Sequence, residues 1–135
     1  MAEDTTIGLK IVAETDSFDM AIKKTKDNIK QLGANFKESV ASLDRWNQST
    51  DGLTKKIDSL NGEMSQYKAQ MDATQKEIDK LSKNEESNAK AIENKKKLLQ
   101  EANTKYKEAQ QGVKYYTSEL ERAKQKEATV QYVMR

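Results

Sequence analysis

The sequence has no cysteine, no histidine and no proline, and only five glycines among its 135 residues. Without cysteine there is neither a disulfide framework nor a thiolate metal site. Without histidine, imidazole general-base catalysis and the commonest nitrogen ligand of zinc are also excluded. The missing proline and scarce glycine take away the usual punctuation of loops. Large apolar residues are sparse as well. Ile, Leu, Val and Phe total 23 residues, about 17%, below the level that normally builds a compact core. Lys and Arg number 24 against 22 Asp and Glu, leaving a net charge of +2. The one-sided field that would gather nucleic acid or an anionic membrane is therefore lacking. No run approaches the roughly 18 to 20 apolar residues that cross a bilayer. The opening Met1-Ala2-Glu3-Asp4 is acidic and carries no apolar stretch of signal-peptide length. These absences exclude a membrane span for this segment and lead to the expectation of a non-enzyme without cofactor or metal.

What remains is a chain in which Lys and Glu alternate with Gln and Ala, a composition suited to long helices. One stretch breaks that character. Thr5-Thr6-Ile7-Gly8-Leu9-Lys10-Ile11-Val12-Ala13 places apolar residues at 7, 9 and 11, the two-residue period of a strand with one buried face. It has no second strand in the chain to pair with, so residues 1–16 are expected to form a short extended segment. Asp16 or Ser17 then reads as the N-cap of a helix beginning near Phe18.

From Phe18 the period changes to alternating steps of four and three. The stripe runs through Phe18, Ile22, Ile29, Leu32, Phe36, Leu43, Trp46, Leu53, Ile57, Leu60, Met64, Tyr67, Met71, Ile78 and Leu81, then Ile92, Leu99, Tyr106, Val113, Tyr116 and Leu120. Ala102, Ala109, Ala123, Val130 and Met134 keep the same phase. Of the 34 template positions between 18 and 134, 26 are apolar or aromatic, against 14 of the other 83. A seven-residue repeat held this long is the mark of a left-handed coiled coil. The expected fold is thus all-α, with residues 17–135 an elongated coiled-coil region and the stripe a seam for self-association into a homo-oligomer. As one continuous helix, residues 18–134 would extend about 175 Å. In a parallel pair, Glu63 would face Lys68 and Glu119 would face Lys124, a weak preference worth tenths of a kcal/mol per pair.

Two places interrupt the pattern. At Asn47-Gln48-Ser49-Thr50-Asp51-Gly52, Gly52 weakens a helix while Ser49, Thr50 or Asp51 could cap a new one starting near Leu53. At residues 82–88, Glu85 and Asn88 occupy seam positions in a polar patch, and Lys95 occupies another seam position just beyond it. There the chain either turns back as a hairpin or passes through a wet section of continuous coil. Gly62 and Gly112 lie inside strong periodicity and are expected to weaken the helix without ending it.

Candidate sites are few, and each has a plainer reading. Glu85-Glu86 reads as a solvated pair rather than a catalytic or metal pair. Lys23-Lys24 and Lys95-Lys96-Lys97 are interleaved with Asp27, Glu93 and Glu101, so they read as solvated faces rather than phosphate sites. Tyr106 and Tyr116 sit on the stripe and are core before they are base-stacking platforms. A tryptophan in a turn between helices is also an arrangement of the small secreted WXG proteins, but residue 48 is Gln, so that motif is not met and Trp46 reads as packing. No catalytic, cofactor-binding or metal-ligating residue is singled out.

The order of these features resembles the start of phage tail tape measure proteins. The strand is followed by Ser17-Phe18-Asp19-Met20-Ala21-Ile22-Lys23. Phe36-Lys37-Glu38-Ser39-Val40-Ala41-Ser42-Leu43-Asp44-Arg45-Trp46, then Ser49-Thr50-Asp51-Gly52-Leu53, Ile57 and Leu60, carry the nearest similarity. Lys80-Leu81-Ser82 through Lys97-Leu98-Leu99-Gln100-Glu101-Ala102 is similar to a second family segment. The resemblance, over roughly residues 5–105, implies a virion structural role. Tail tube subunits would polymerise around an extended helical oligomer that sets tube length, and its ends would engage tail-tip and assembly-chaperone proteins. It further implies that these residues are the N-terminal part of a longer chain. That chain would assemble in the host cytoplasm and come to lie inside the virion tail. The alternative is a small coiled-coil or helical-hairpin adaptor, or a secreted partner of a bacterial export system.

Overall fold

A computed structural model describes the backbone of residues 2–83 and 89–134, with side chains described for 17–83 and 89–129. Three helices make up almost all of it: α1 (Ala2–Ser39), α2 (Thr50–Lys83) and α3 (Ala89–Met134), with one short 3-10 turn at Trp46–Gln48 between α1 and α2. The described residues are all-α and contain no strand.

The expected strand at 5–13 is corrected: Thr5–Ala13 lies inside α1, and Asp16 and Ser17 are mid-helix rather than capping. The physical reason is the absence of a pairing partner. A lone strand leaves its backbone donors and acceptors unpaired, whereas a helix satisfies them within the segment.

The first break forms as a helix–turn–helix. Residues 40–43 form a loose turn, with Val40 donating to Phe36 and Leu43 to Val40 through their backbone amides. Lys55 Nζ donates to the terminal carbonyl of Ser39 at 3.1 Å, placing a cation on the negative end of α1. Ser49 caps α2: its Oγ accepts from the Gly52 amide at 2.9 Å, which satisfies one of the free amides of the first turn. Asp51, in that first turn, adds a carboxylate at the positive end of the helix dipole.

Of the second break, residues 84–88 lie outside the described residues. The helices on either side run antiparallel: Leu60 of α2 packs on Gly112 of α3, and Thr50 Oγ1 reaches Glu127 at 3.1 Å. The hairpin is the alternative adopted. α1 is also antiparallel to α2, since Thr25 meets Gln70, Asn28 meets Gln66 and Leu32 meets Gly62. Helix α2 is therefore the centre, packed by α1 on one side and α3 on the other, while the α1 and α3 backbones stay apart. A single rod of about 175 Å is not what this chain forms on its own. Its longest element is α3, about 69 Å from end to end. Folding back wins because each helix can then bury part of its stripe against another part of the same chain, without the translational entropy lost in association.

Candidate assembly interface

The seam residues meet one another inside the chain. Phe18, Leu53, Leu60 and Ile78 are buried; the other seventeen residues of the 21 named on the seam from Phe18 to Leu120 are half-buried, and none is fully exposed. The stripe has found partners, but those partners cover only part of it.

Three layers hold it. At one end, Lys95 Nζ of α3 lies 4.3 Å from the centre of the Phe18 ring of α1. This explains a lysine at a seam position: its ammonium rests on an aromatic face while the stem lies along apolar surface. In the middle, two glycines act as notches. The Leu32 side chain fills the space over Gly62, where an added Cβ would lie 2.9 Å from its Cδ2. Leu60 does the same at Gly112, at 3.0 Å. Neither glycine ends its helix, as the sequence suggests, and both are used for close approach. Ala102, Ala109 and Ala123 of α3, a heptad or two apart, are buried on the same principle.

The third layer is aromatic and lies by the α1–α2 turn. Trp46 packs edge-on to Phe36 with centroids 4.9 Å apart and tilts against Tyr116 at 5.8 Å. Lys56 Nζ sits over the three rings, 4.7 Å from Phe36 and 5.9 Å from each of the others. Trp46 thus joins all three helices, in keeping with the packing role read for it. Gly52 is essential here: a Cβ at that position would collide with the Trp46 carbonyl oxygen and lie 2.7 Å from its Cα.

Buried polar residues lie both on the heptad phase, where Thr25 and Thr74 stand, and beside it. Gln70 Nε2 donates to Thr25 Oγ1 at 2.8 Å, and Thr25 Oγ1 in turn donates to the Ile22 carbonyl. Thr74, 1% exposed, returns its hydroxyl to the Gln70 carbonyl at 2.6 Å. Ser59, Gln70 and Glu77 are buried although they lie off the stripe. A helix packed on two sides buries a wider arc than a two-stranded seam does, and positions beside the stripe fall into it. Val40 is a further buried residue off the stripe. A signal for it existed, because it is the single off-stripe valine between 18 and 129.

The electrostatics are mild. Lys55–Asp51, Lys105–Glu108 and Arg122–Glu119 are local pairs on exposed faces at 3.0 to 3.6 Å. The Tyr67 hydroxyl is held above its ordinary pKa, first by burial and then by the negative charges of Glu63 and Glu108. Among the described residues there is no cluster of three potential metal ligands, and no helix is long and apolar enough to cross a membrane.

Between α1 and α3, above α2, runs an open groove of about 350 Å³. Thr74, Gln70 and Tyr67 form its floor, Ile22 and Ile29 one wall, Leu98 and Ala102 the other, with Lys26, Glu101 and Lys105 along its edges. No family model, curated protein or solved structure matches this chain.

Proposed function

We propose that this chain is a structural assembly element without catalytic activity, an N-terminal segment of a phage tail tape measure protein that associates with further copies through its helical seam. Two things support the reading. The residues that carry the family resemblance, Phe36–Leu60, coincide with the helix–turn–helix built around Trp46 and Gly52. The observation that carries the assembly role is the half-covered stripe: seventeen heptad residues keep apolar surface available after the chain has folded back on itself. A seam of this kind is suited to helix-to-helix association. In the tail setting, the partners are the tube, tail-tip and chaperone proteins that the resemblance implies.

The test is a length experiment in an assembling phage that carries this chain as its tape measure. Removing three heptads from α3 shortens the tail by about 30 Å at 1.5 Å per residue. Tails of unchanged length sink the tape measure reading.

The antiparallel packing of α2 and α3 favours a second reading, a helical-hairpin adaptor or secreted partner of an export system. That reading expects the purified chain to scatter as a short, folded-back particle of fixed stoichiometry. The rod reading expects an elongated oligomer under the same conditions.

A further inference from the structure

The turn between α1 and α2 keeps the heptad count. Stepping by three and four from Phe36 passes through Ser39, Leu43, Trp46 and Thr50 to Leu53 with no residue gained or lost. Val40 to Ser49 contains neither proline nor glycine. Within it Val40 is buried and Leu43 and Trp46 are half-buried, at steps of three, while Ala41, Ser42, Asp44, Arg45, Asn47 and Gln48 are exposed. That is the pattern of one helical face. A segment that served only as a loop would have no need of it. This one can close into helix, with its stripe joined to those of α1 and α2.

The contacts that hold α1 on α2 are centred on the same turn. Thr25–Gln70, Asn28–Gln66 and Leu32–Gly62 have their midpoints at Asn47 or between Asn47 and Gln48. If the turn straightens, a two-fold axis there sets two long helices antiparallel, and the same pairs form again, each between two copies. Leu43 and Trp46 then come beside Leu53 and Thr50 of the other copy and carry the seam across the former turn. What is given up is local: the Ser49–Gly52 cap, the Lys55 bond to the Ser39 carbonyl and the packing of Trp46 on Phe36. Residues 40–49 gain helical hydrogen bonds in return. We propose that residues 40–49 are a hinge through which two copies of this chain exchange α1, each α1 docking on the α2 of the other copy. This rests on the self-association reading above, not on the tail setting. The exchange depends on concentration, since the closed chain already covers α1 without a partner. The buried Gln70–Thr25 bond fixes the alignment in which the second copy is accepted. Gly52 biases the balance: a Cβ there strikes Trp46 in the turn, but in a continuous helix Trp46 lies about 9 Å back along the axis.

Cross-linking tests it. Gln31 and Ser65 are exposed and line one hollow between α1 and α2, and the chain has no thiol of its own. The whole chain carrying Gln31→Cys and Ser65→Cys is separated into monomer and dimer by size exclusion, and a short bis-maleimide is added to each. The dimer fraction yields covalently joined chains, and the monomer fraction yields internal links alone. Adding Gly52→Ala raises the dimer constant at least about tenfold, because each dimer holds two straightened hinges and alanine favours helix over glycine in both. Asp44→Pro abolishes the dimer: proline breaks the continuous helix, whereas in the turn Asp44 donates no backbone hydrogen bond to any described residue. Circular dichroism confirms that each variant keeps its helix content. A dimer linked only within its own chains, one unmoved by Gly52→Ala, or one that persists in Asp44→Pro overturns the exchange and leaves self-association standing. A chain that stays monomeric at every concentration, with Gly52→Ala as without it, overturns both.

Discussion

Helix α2 has two neighbours, and it treats them differently. Towards α3 it meets small residues: Ala102 and Ala109 are buried and Gly112 admits Leu60, so the contact is close and apolar. Towards α1 it meets Gln70–Thr25 and Asn28–Gln66 hydrogen bonds with one leucine notch between them. Close apolar packing supplies stability but little discrimination between registers a heptad apart. A buried hydrogen bond contributes little net stability but leaves an orphaned polar group in any other register. One interface holds the molecule together, and the other decides how it is aligned.

Four experiments bear on that contrast, in order of falling effect. Leu60→Ala empties the Gly112 notch and costs about 3 kcal/mol of unfolding free energy, read by denaturant titration; a loss below about 1 kcal/mol contradicts the structural role given to the α2–α3 contact. Gly52→Ala pushes a methyl group into the Trp46 backbone, which cannot yield as a side-chain tip can. We expect about 2 kcal/mol of destabilisation, with the turn rather than the hairpin losing hydrogen-exchange protection first. Gln70→Ala removes the amide that donates to Thr25 Oγ1, leaving only that hydroxyl's own bond to the Ile22 carbonyl, and costs about 1 kcal/mol. Its signature is selective: amide exchange quickens along α1 while α2 and α3 keep their protection, and uniform quickening would mean the two interfaces are one cooperative unit.

The smallest effect is alkaline. Tyr67 has a raised pKa in the folded chain, so the unfolded chain releases that proton first. Its contribution to stability is fully present below the ordinary tyrosine value of about 10 and is lost as pH rises through the folded value. Tyr67→Phe should flatten the fall of melting temperature above about pH 10; an identical pH profile in both proteins removes Tyr67 from the account.

Much of the fold was legible in the residues. The heptad stripe located the helices, and Ser49 to Gly52 located the turn, because a cap followed by a glycine is local chemistry. What the stripe could not say is whom it faces. A heptad records that one face wants cover, and the same residues serve a second chain or a fold-back of the first. That is why Leu32 and Leu60 could be placed on the seam without their glycine notches being foreseen. It is also why Gln70 and Glu77, outside the stripe, were missed. At the N-terminus the error was of another kind. Ile7, Leu9 and Ile11 alternate as a strand does, but alternation over so short a span competes poorly with a helix already propagating from Phe18.

Trp46 is the only tryptophan, and it sits where α1, α2 and α3 converge, under the ammonium of Lys56. The chain therefore carries its own optical gauge. If α1 swings away at the turn, the indole leaves Phe36 and enters water, and its emission moves to the red. If α3 lifts off, Tyr116 is lost and energy transfer to the indole falls with it. Two channels of one intrinsic signal thus separate the two motions, without any label being attached.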